Sequence, residues 1–370
     1  MKQTSKFQVG LDFRMAANTG IGTYLNGLVG GFQANKNPAP ENLALFSQKP
    51  ASQVGFSKVL FDAPIYSIQE QWQYPQFVRM CELWHAPHYN IPYCKGRAKL
   101  VVTVHDIIHW VYRKQFNFLQ RTYAEKMLRR TIHLADHILT VSKHSKADLI
   151  YYFDAPPDKI TVVYNGVSPD FFPRSLGQFE IEWKPIQKKY LLPESFFLYV
   201  GMLKSHKNVL KLLRIFIKLK QENKIQSSLV VIGQGAANSP ETQLLKDHAG
   251  IITHLPRIQS GELPVFYNRA RALVHPSLYE GFGLTVLESL ACGTPVLTTS
   301  RASLPEVGGK AARYIDGEDE SEMANALQEW DADSTLKLRL HDVCLEQACK
   351  FSWDKAARET SQVYEKVLTA

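Results

Sequence analysis

The chain has 370 residues, 45% hydrophobic and 21% charged, which suits a globular protein with two domain cores. No apolar run approaches the roughly 18 residues of a membrane-spanning helix, Met1–Lys6 leads into a strand without the apolar core of a secretory leader, and five scattered cysteines form no CxxC pair; a cytoplasmic chain without a disulfide framework or structural zinc is expected. The formal charge of +8 lies mostly in residues 1–170, where nineteen Lys and Arg face twelve Asp and Glu; without a dense basic run that reads either as an ordinary lysine-rich surface or as one that draws an anionic acceptor or membrane surface, whereas the diffuse charge and lack of a recognised module argue against nucleic acid.

Short apolar strands alternate with helical periodicity throughout, the pattern of α/β units with parallel sheets. The first half predicts strands at Phe7–Phe13, Leu43–Phe46, Leu83–His85, Lys99–His105, His137–Val141 and Ile160–Tyr164, and helices at Gly22–Gly31, Phe118–Leu134 and Lys143–Tyr152. A polar, irregular stretch, Pro173–Pro193, reads as a linker. The second half predicts strands at Phe196–Val200, Ser228–Ile232, Ile251–Leu255, Ala272–His275, Pro295–Thr299 and Arg313–Ile315, with helices at Lys207–Lys220, Pro240–Ala249, Leu263–Ala270, Thr285–Ala291 and Ser321–Glu329. A last helical pattern runs over Trp353–Leu368. Two Rossmann-like lobes are expected, the first over residues 1–175 and the second over 190–352.

Several strand ends carry chemistry-bearing residues. After the first strand comes Gly10-Leu11-Asp12-Phe13-Arg14, then Thr19-Gly20-Ile21-Gly22-Thr23-Tyr24; Gly20 and Gly22 let a backbone approach an anion closely, but Leu25 breaks the GxGxxG template. His105 ends the run Val101-Val102-Thr103-Val104, where open α/β sheets bind ligands; His85 and Asp106 are weaker candidates, each either a contact or a hydrogen-bonding support. Ser142 reads as a helix cap and Asn165-Gly166 as a turn. Lys207, in Lys204-Ser205-His206-Lys207-Asn208, is read at a helix start, where a cation opposes the helix dipole unless an anion sits beside it. Gly233-Gln234-Gly235 follows another strand, and Arg257 follows the next. The densest segment is His275-Pro276-Ser277-Leu278-Tyr279-Glu280-Gly281-Phe282-Gly283-Leu284-Thr285-Val286-Leu287-Glu288. There two carboxylates bracket a glycine turn and a helix N-terminus, whose N–H groups seat phosphate. Asp331-Ala332-Asp333 matches a metal-binding pair in form, but reads as a solvated acidic turn.

In order and spacing these segments, from Gly10 to Trp353, resemble the retaining glycosyltransferases of family 4. The match includes Asp-x-Arg with Gly-Ile-Gly-x-Tyr, Thr-x-His-Asp, Lys207, the paired Glu280 and Glu288, Leu304-Pro305-Glu306-Val307 and Phe351-Ser352-Trp353. The resemblance implies the GT-B fold: two Rossmann-like lobes facing an interdomain cleft, with the C-terminal helix, 353–370, crossing back to the acceptor-side first lobe. It implies a nucleotide-sugar donor held by Gly20, Gly22, Lys207, Gly281, Phe282, Gly283, Leu284, Thr285 and Glu288, with Arg257 near the base. His105 and Glu280 are the catalytic candidates. Met202 and His206 stand where the family often carries a second basic residue, so that charge is either missing or supplied by a partly protonated His206.

The subgroup resembled is that of bacterial mannosyl- and rhamnosyltransferases of surface polysaccharide assembly. It implies GDP-mannose as co-substrate, no other cofactor, no essential metal, and a glycan or lipid-linked oligosaccharide as acceptor. Front-face displacement, with the leaving phosphate deprotonating the acceptor, fits better than a glycosidase-like acid/base role for Glu280. The basic, aromatic stretch Trp110, Tyr112, Arg113, Lys114, Phe116, Phe118, Arg121 and Tyr123 reads either as a helix with a wet basic face or as a peripheral contact with an anionic inner membrane. Two other readings stay open: a nucleotide-sugar epimerase of the same architecture, and a non-catalytic sugar-nucleotide-binding scaffold.

Overall fold

The computed structural model describes residues 6–34, 40, 42–48, 55–259 and 261–370; Met1–Ser5 lie outside them. The chain divides into two compact units, Met1–Gly166 with Phe351–Ala370, and Val167–Lys350.

In the first unit the elements run β1 (Phe7–Asp12), α1 (Ile21–Ala34), β2 (Leu43–Ser47), β3 (Ser57–Leu60), α2 (Ile68–Val78), β4 (Cys81–Ala86), β5 (Lys99–Val104), α3 (Ile108–Val111), α4 (Phe118–Leu134), β6 (His137–Thr140), α5 (Lys143–Phe153) and β7 (Ile160–Val162). The seven strands order β3-β2-β1-β4-β5-β6-β7, and every pair is parallel. Both faces are covered, which is why the strands read as almost continuous apolar runs. In β5, Leu100, Val102 and Val104 enter the core under α2, α4 and α5. Val101 enters the opposite core, with Leu25, Leu28 and Val29 of α1.

The second unit runs α6 (Leu176–Tyr190), β8 (Phe196–Val200), α7 (Val209–Gln221), β9 (Ser228–Ile232), α8 (Pro240–Asp247), β10 (Ile252–Leu255), α9 (Leu263–Arg269), β11 (Leu273–His275), α10 (Leu284–Ala291), β12 (Val296–Thr299), α11 (Leu304–Gly308), β13 (Ala312–Ile315), α12 (Glu320–Ala332) and α13 (Leu336–Ala348). Its six strands order β10-β9-β8-β11-β12-β13 and are likewise parallel. Each sheet is an α/β doubly wound sheet whose order reverses once, between β1 and β4 and between β8 and β11. Crevices for ligands form at the carboxyl ends of strands beside such reversals.

The last helix, α14 (Trp353–Thr369), belongs to the first unit. Gly27 and Gly31, four residues apart on α1, make its approach feasible. A Cβ on Gly27 would lie 2.1 Å from the Trp353 ring, and one on Gly31 would lie 2.3 Å from the Trp353 carbonyl oxygen.

Three departures from the sequence reading have local causes. The stretch Pro173–Pro193 is no irregular linker: it holds α6, on which Phe179, Trp183 and Ile186 share a buried face at helical spacing. Pro185 lies inside that helix, as Pro75 lies inside α2, and proline reads as a helix breaker. Strand β3 is an exposed edge strand with little apolar signal. No helix among the described residues is long and apolar enough to cross a membrane.

Candidate functional site

In the first unit the Asp12–Arg14 pair turns inward. Arg14 Nη2 lies 2.5 Å from Asp12 and 2.7 Å from Glu70, and the guanidinium sits over the Phe61 ring at 3.7 Å. Burial works against the Arg14 charge, yet Asp12 foremost, with Tyr74 and Glu70 behind it, more than offsets that and holds its pKa above the ordinary arginine value. The pair therefore clamps α2 to the end of β1. Gly22 is needed by its own loop: a Cβ there would lie 2.5 Å from the Ala16 carbonyl oxygen. Gly20, with φ 74°, adopts the left-handed conformation just before α1 and has open space where a Cβ would stand.

His105 follows β5. Its Nε2 donates to the Pro87 carbonyl at 3.0 Å, Tyr24 of α1 meets it edge-on at 4.9 Å, and its own carbonyl accepts from Ser145 Oγ at 2.9 Å. Burial lowers its pKa against the opposing pull of Asp106. The imidazole is thus neutral with its proton on Nε2, leaving Nδ1 as an acceptor. His85 is a support: it is bonded to Tyr364 at 2.6 Å and Thr103 at 2.8 Å, tying α14 to the sheet.

In the second unit, Lys207 and Glu280 lie in the loops that follow the two strands flanking the order reversal, β8 and β11, and they meet. Lys207 Nζ lies 2.5 Å from Glu280 Oε1, and His275 Nε2 lies 2.6 Å from the same oxygen. Burial pushes the Glu280 carboxyl up, but Lys207 and His275 overcome it and hold the group well below the usual carboxylate range. Glu280 is therefore an ionised acceptor, with no proton to donate as a general acid.

Two expectations about this corner are corrected. Lys207 does not start a helix; it closes a short 3-10 turn, Ser205–Lys207, one residue before the left-handed Asn208 that caps α7. Glu280 supplies the anionic charge beside its ammonium. Nor is His206 a second cation, since burial and the neighbouring Lys207 lower its pKa to about 4. Its carbonyl is used instead, accepting from Leu278 N at 2.8 Å and so stitching the two loops together.

Gly281, Phe282 and Gly283 lead into α10, with Gly283 at φ 103° as its N-cap. The backbone N–H groups of the first turn, at Leu284 and Thr285, have no intrahelical acceptors. Ser303 Oγ lies 2.9 Å from the carbonyls of both Glu280 and Phe282, which fixes the turn. Further along α10, Glu288 accepts from the Tyr267 hydroxyl at 3.0 Å. Burial pushes the Glu288 carboxyl up to about 7, only partly offset by that hydrogen bond.

Arg257 stands apart. It lies exposed beyond β10 with Nη2 3.3 Å from Gln234, two strands from β8. The Asp331 and Asp333 carboxylates are occupied by the protein: Asp331 accepts from Gln226 N and Ser227 N, and Asp333 from Thr335 N and Arg339.

Two polar partners of this site escaped the sequence reading. His275 stands in the signature segment itself, at a strand's carboxyl end, where its position was the available signal. Tyr267 carried none beyond being a tyrosine in an apolar helix, whose hydroxyl needs a partner when buried. What the corner offers is an anion seat at a helix N-terminus with a lysine beside it, flanked by two carboxylates able to accept from hydroxyl groups.

Comparison with known proteins shows the family. A family model for Glycosyl transferases group 1 matches residues 183–343, and one for Glycosyltransferase Family 4 matches residues 56–171. The O-antigen chain mannosyltransferase B of Escherichia coli is 33% identical over 288 residues, covering 76% of this chain and 74% of that protein. The O-antigen chain mannosyltransferase RfbU of Salmonella typhimurium is 30% identical over 247 residues, covering 65% and 62%. Among solved structures, HepE of Anabaena in complex with UDP-glucose aligns with a TM-score of 0.76 at 13% identity, over 97% of this chain and all of the other. That likeness is one of fold.

Proposed function

The chain belongs to glycosyltransferase family 4, the group 1 glycosyl transferases, and on that premise we propose that it moves a mannose-type sugar, with retention of configuration, from a nucleoside-diphosphate sugar to a glycan or lipid-linked acceptor. The observation that carries the donor site is the second-unit corner, where Glu280 and Glu288 stand on either side of the α10 N-terminus with Lys207 against Glu280. In this reading Glu288 accepts from the ribose hydroxyls. The N–H groups from Gly281 to Thr285 and the Lys207 ammonium hold the diphosphate and stabilise its charge as it leaves, as an oxyanion hole does. No metal is required for that charge. Glu280, kept ionised, accepts from a hydroxyl of the transferred sugar. His105 acts on the transfer step, and Gly20 and Gly22 shape the loop ahead of α1. Arg257 is assigned to the base edge.

The mannosyl choice follows the two O-antigen mannosyltransferases similar to this chain, and GDP-mannose is the donor named for the test. A thermal-shift panel of GDP-, UDP-, dTDP- and ADP-sugars on the wild type and on Glu288→Ala should give a shift with one nucleotide that the variant loses. With the matching donor, release of nucleoside diphosphate should continue in EDTA. Absence of any shift, together with no donor turnover, would overturn the assignment in favour of a scaffold.

A further inference from the structure

We propose that His275 is a positioning residue that holds the Glu280 carboxylate in place while Lys207 turns to the donor diphosphate. The inference rests on the donor-site reading of Lys207 and Glu280, and on a conflict inside that reading. Lys207 is assigned to the diphosphate, yet its ammonium is spent on Glu280 at 2.5 Å. A lysine that moves to phosphate would abandon a carboxylate whose side chain is only 12% exposed, and a buried charge stripped of its partner is strongly destabilising.

His275 resolves the conflict. It bonds the same oxygen, Oε1, that Lys207 bonds, so either partner can leave without turning the carboxylate. The two differ in freedom: the His275 side chain is 1% exposed, whereas Lys207 carries its charge on a flexible four-carbon stem with the side chain 20% exposed. The His275 backbone is pinned by Thr298 Oγ1, which donates to its carbonyl at 2.7 Å, and the buried Tyr199 ring lies parallel to the imidazole. Thr285 Oγ1 lies 3.4 Å from Nδ1 and can donate there, which keeps the proton on Nε2, the nitrogen facing Glu280. Oε2 of Glu280 accepts from no group among the described residues. That oxygen is left for a sugar hydroxyl, at an angle set by the His275 bond.

The test compares His275→Gln with His275→Asn in the full chain. A glutamine amide reaches the place of Nε2; an asparagine amide reaches only that of Nδ1. Release of GDP from GDP-mannose is followed with a mannose-terminated glycolipid as acceptor, or with the UDP-, dTDP- or ADP-sugar that the wild type accepts, and affinity for the free nucleoside diphosphate is measured by calorimetry. The Gln variant should keep kcat within about threefold, the Asn variant should lose about thirtyfold, and both should keep nucleotide affinity within about threefold. Equal turnover in the two variants overturns the proposal. Should the Asn variant not fold, the Gln variant decides alone, and a fall beyond about tenfold with nucleotide binding intact overturns it. A wild type that neither binds nor turns over any donor sinks the donor-site reading itself; an active wild type with indistinguishable variants sinks only the role of His275.

Discussion

Glu288 and Glu280 are the same residue type eight positions apart, and the fold drives them in opposite directions. Glu280 is held ionised by Lys207 and His275; Glu288, half-buried with a single tyrosine hydroxyl as partner, is pushed up to about 7. The second shift has a consequence for stability. Unfolded, Glu288 titrates near 4.5; folded, at about 7. Between those values the native chain binds more protons than the unfolded one, so stability falls as pH rises from 4.5 through 7 and is flat above. We expect Glu288→Gln to remove that slope, so that calorimetric melting shows the variant gaining on the wild type between pH 5 and pH 8 by on the order of 2 kcal/mol. A stability difference constant across that range would refute the shift. The carboxylates and Lys207 were legible as residues because a motif names positions. Their pairing was not: contact between Lys207 and Glu280 joins two loops 73 residues apart, and only the strand order brings those loops together. His275 went unread because a histidine at a strand end has an ordinary structural explanation until its partner is seen.

Burial made most elements legible by imposing a period on them, though α6 and α13 were missed despite buried residues. The central strands were found within a residue or two because both faces are covered. Edge strand β3 and the proline-containing α2 and α6 were missed, because exposed strands lose their apolar signature and proline masks a helix that tertiary packing nonetheless stabilises. The packing of α14 on α1 is the feature of this scale most open to test, since α1 carries glycines in opposite environments. Gly27 faces the Trp353 ring with no room for a methyl group, while Gly30 has nothing within 4 Å of its would-be Cβ and is exposed. Gly27→Ala should destabilise the protein by about 1–3 kcal/mol through overpacking. Gly30→Ala should stabilise it by about 0.5–1 kcal/mol through helix propensity. Urea unfolding of the two variants should move the midpoint in opposite directions; a shift of the same sign in both would mean that α14 does not dock where Trp353 places it.

At the scale of the whole chain, one topological device is used twice. Both sheets reverse their strand order once, and candidate residues gather at the carboxyl ends beside each reversal: Gly20, Gly22 and the Pro87 carbonyl that orients His105 after β1 and β4, Lys207 and Glu280 after β8 and β11. The α/β class and the two lobes followed from alternation of strands and helices, and the GT-B arrangement from the family resemblance, whereas the assignment of work to each unit needs the contacts. Those contacts are unequal. Every group assigned to ribose and diphosphate, from Lys207 through Glu288, lies within Val167–Lys350 and is positioned by partners from the same unit. His105 is positioned wholly within the other, by Pro87, Tyr24 and Ser145. Nucleotide affinity and turnover should therefore separate by unit. Glu288→Ala should weaken binding of the free nucleoside diphosphate by about tenfold or more, the loss of roughly 1.4 kcal/mol or more of hydrogen bonding to hydroxyl groups. His105→Ala should leave that affinity within about twofold and lower kcat by about 10²-fold, the usual scale for a positioned imidazole. Calorimetry and donor turnover on the two variants read the two quantities independently. If His105→Ala lost nucleotide affinity in step with turnover, the second unit would not hold the nucleotide on its own, and the assignment of the ribose and diphosphate contacts to it would have to be withdrawn.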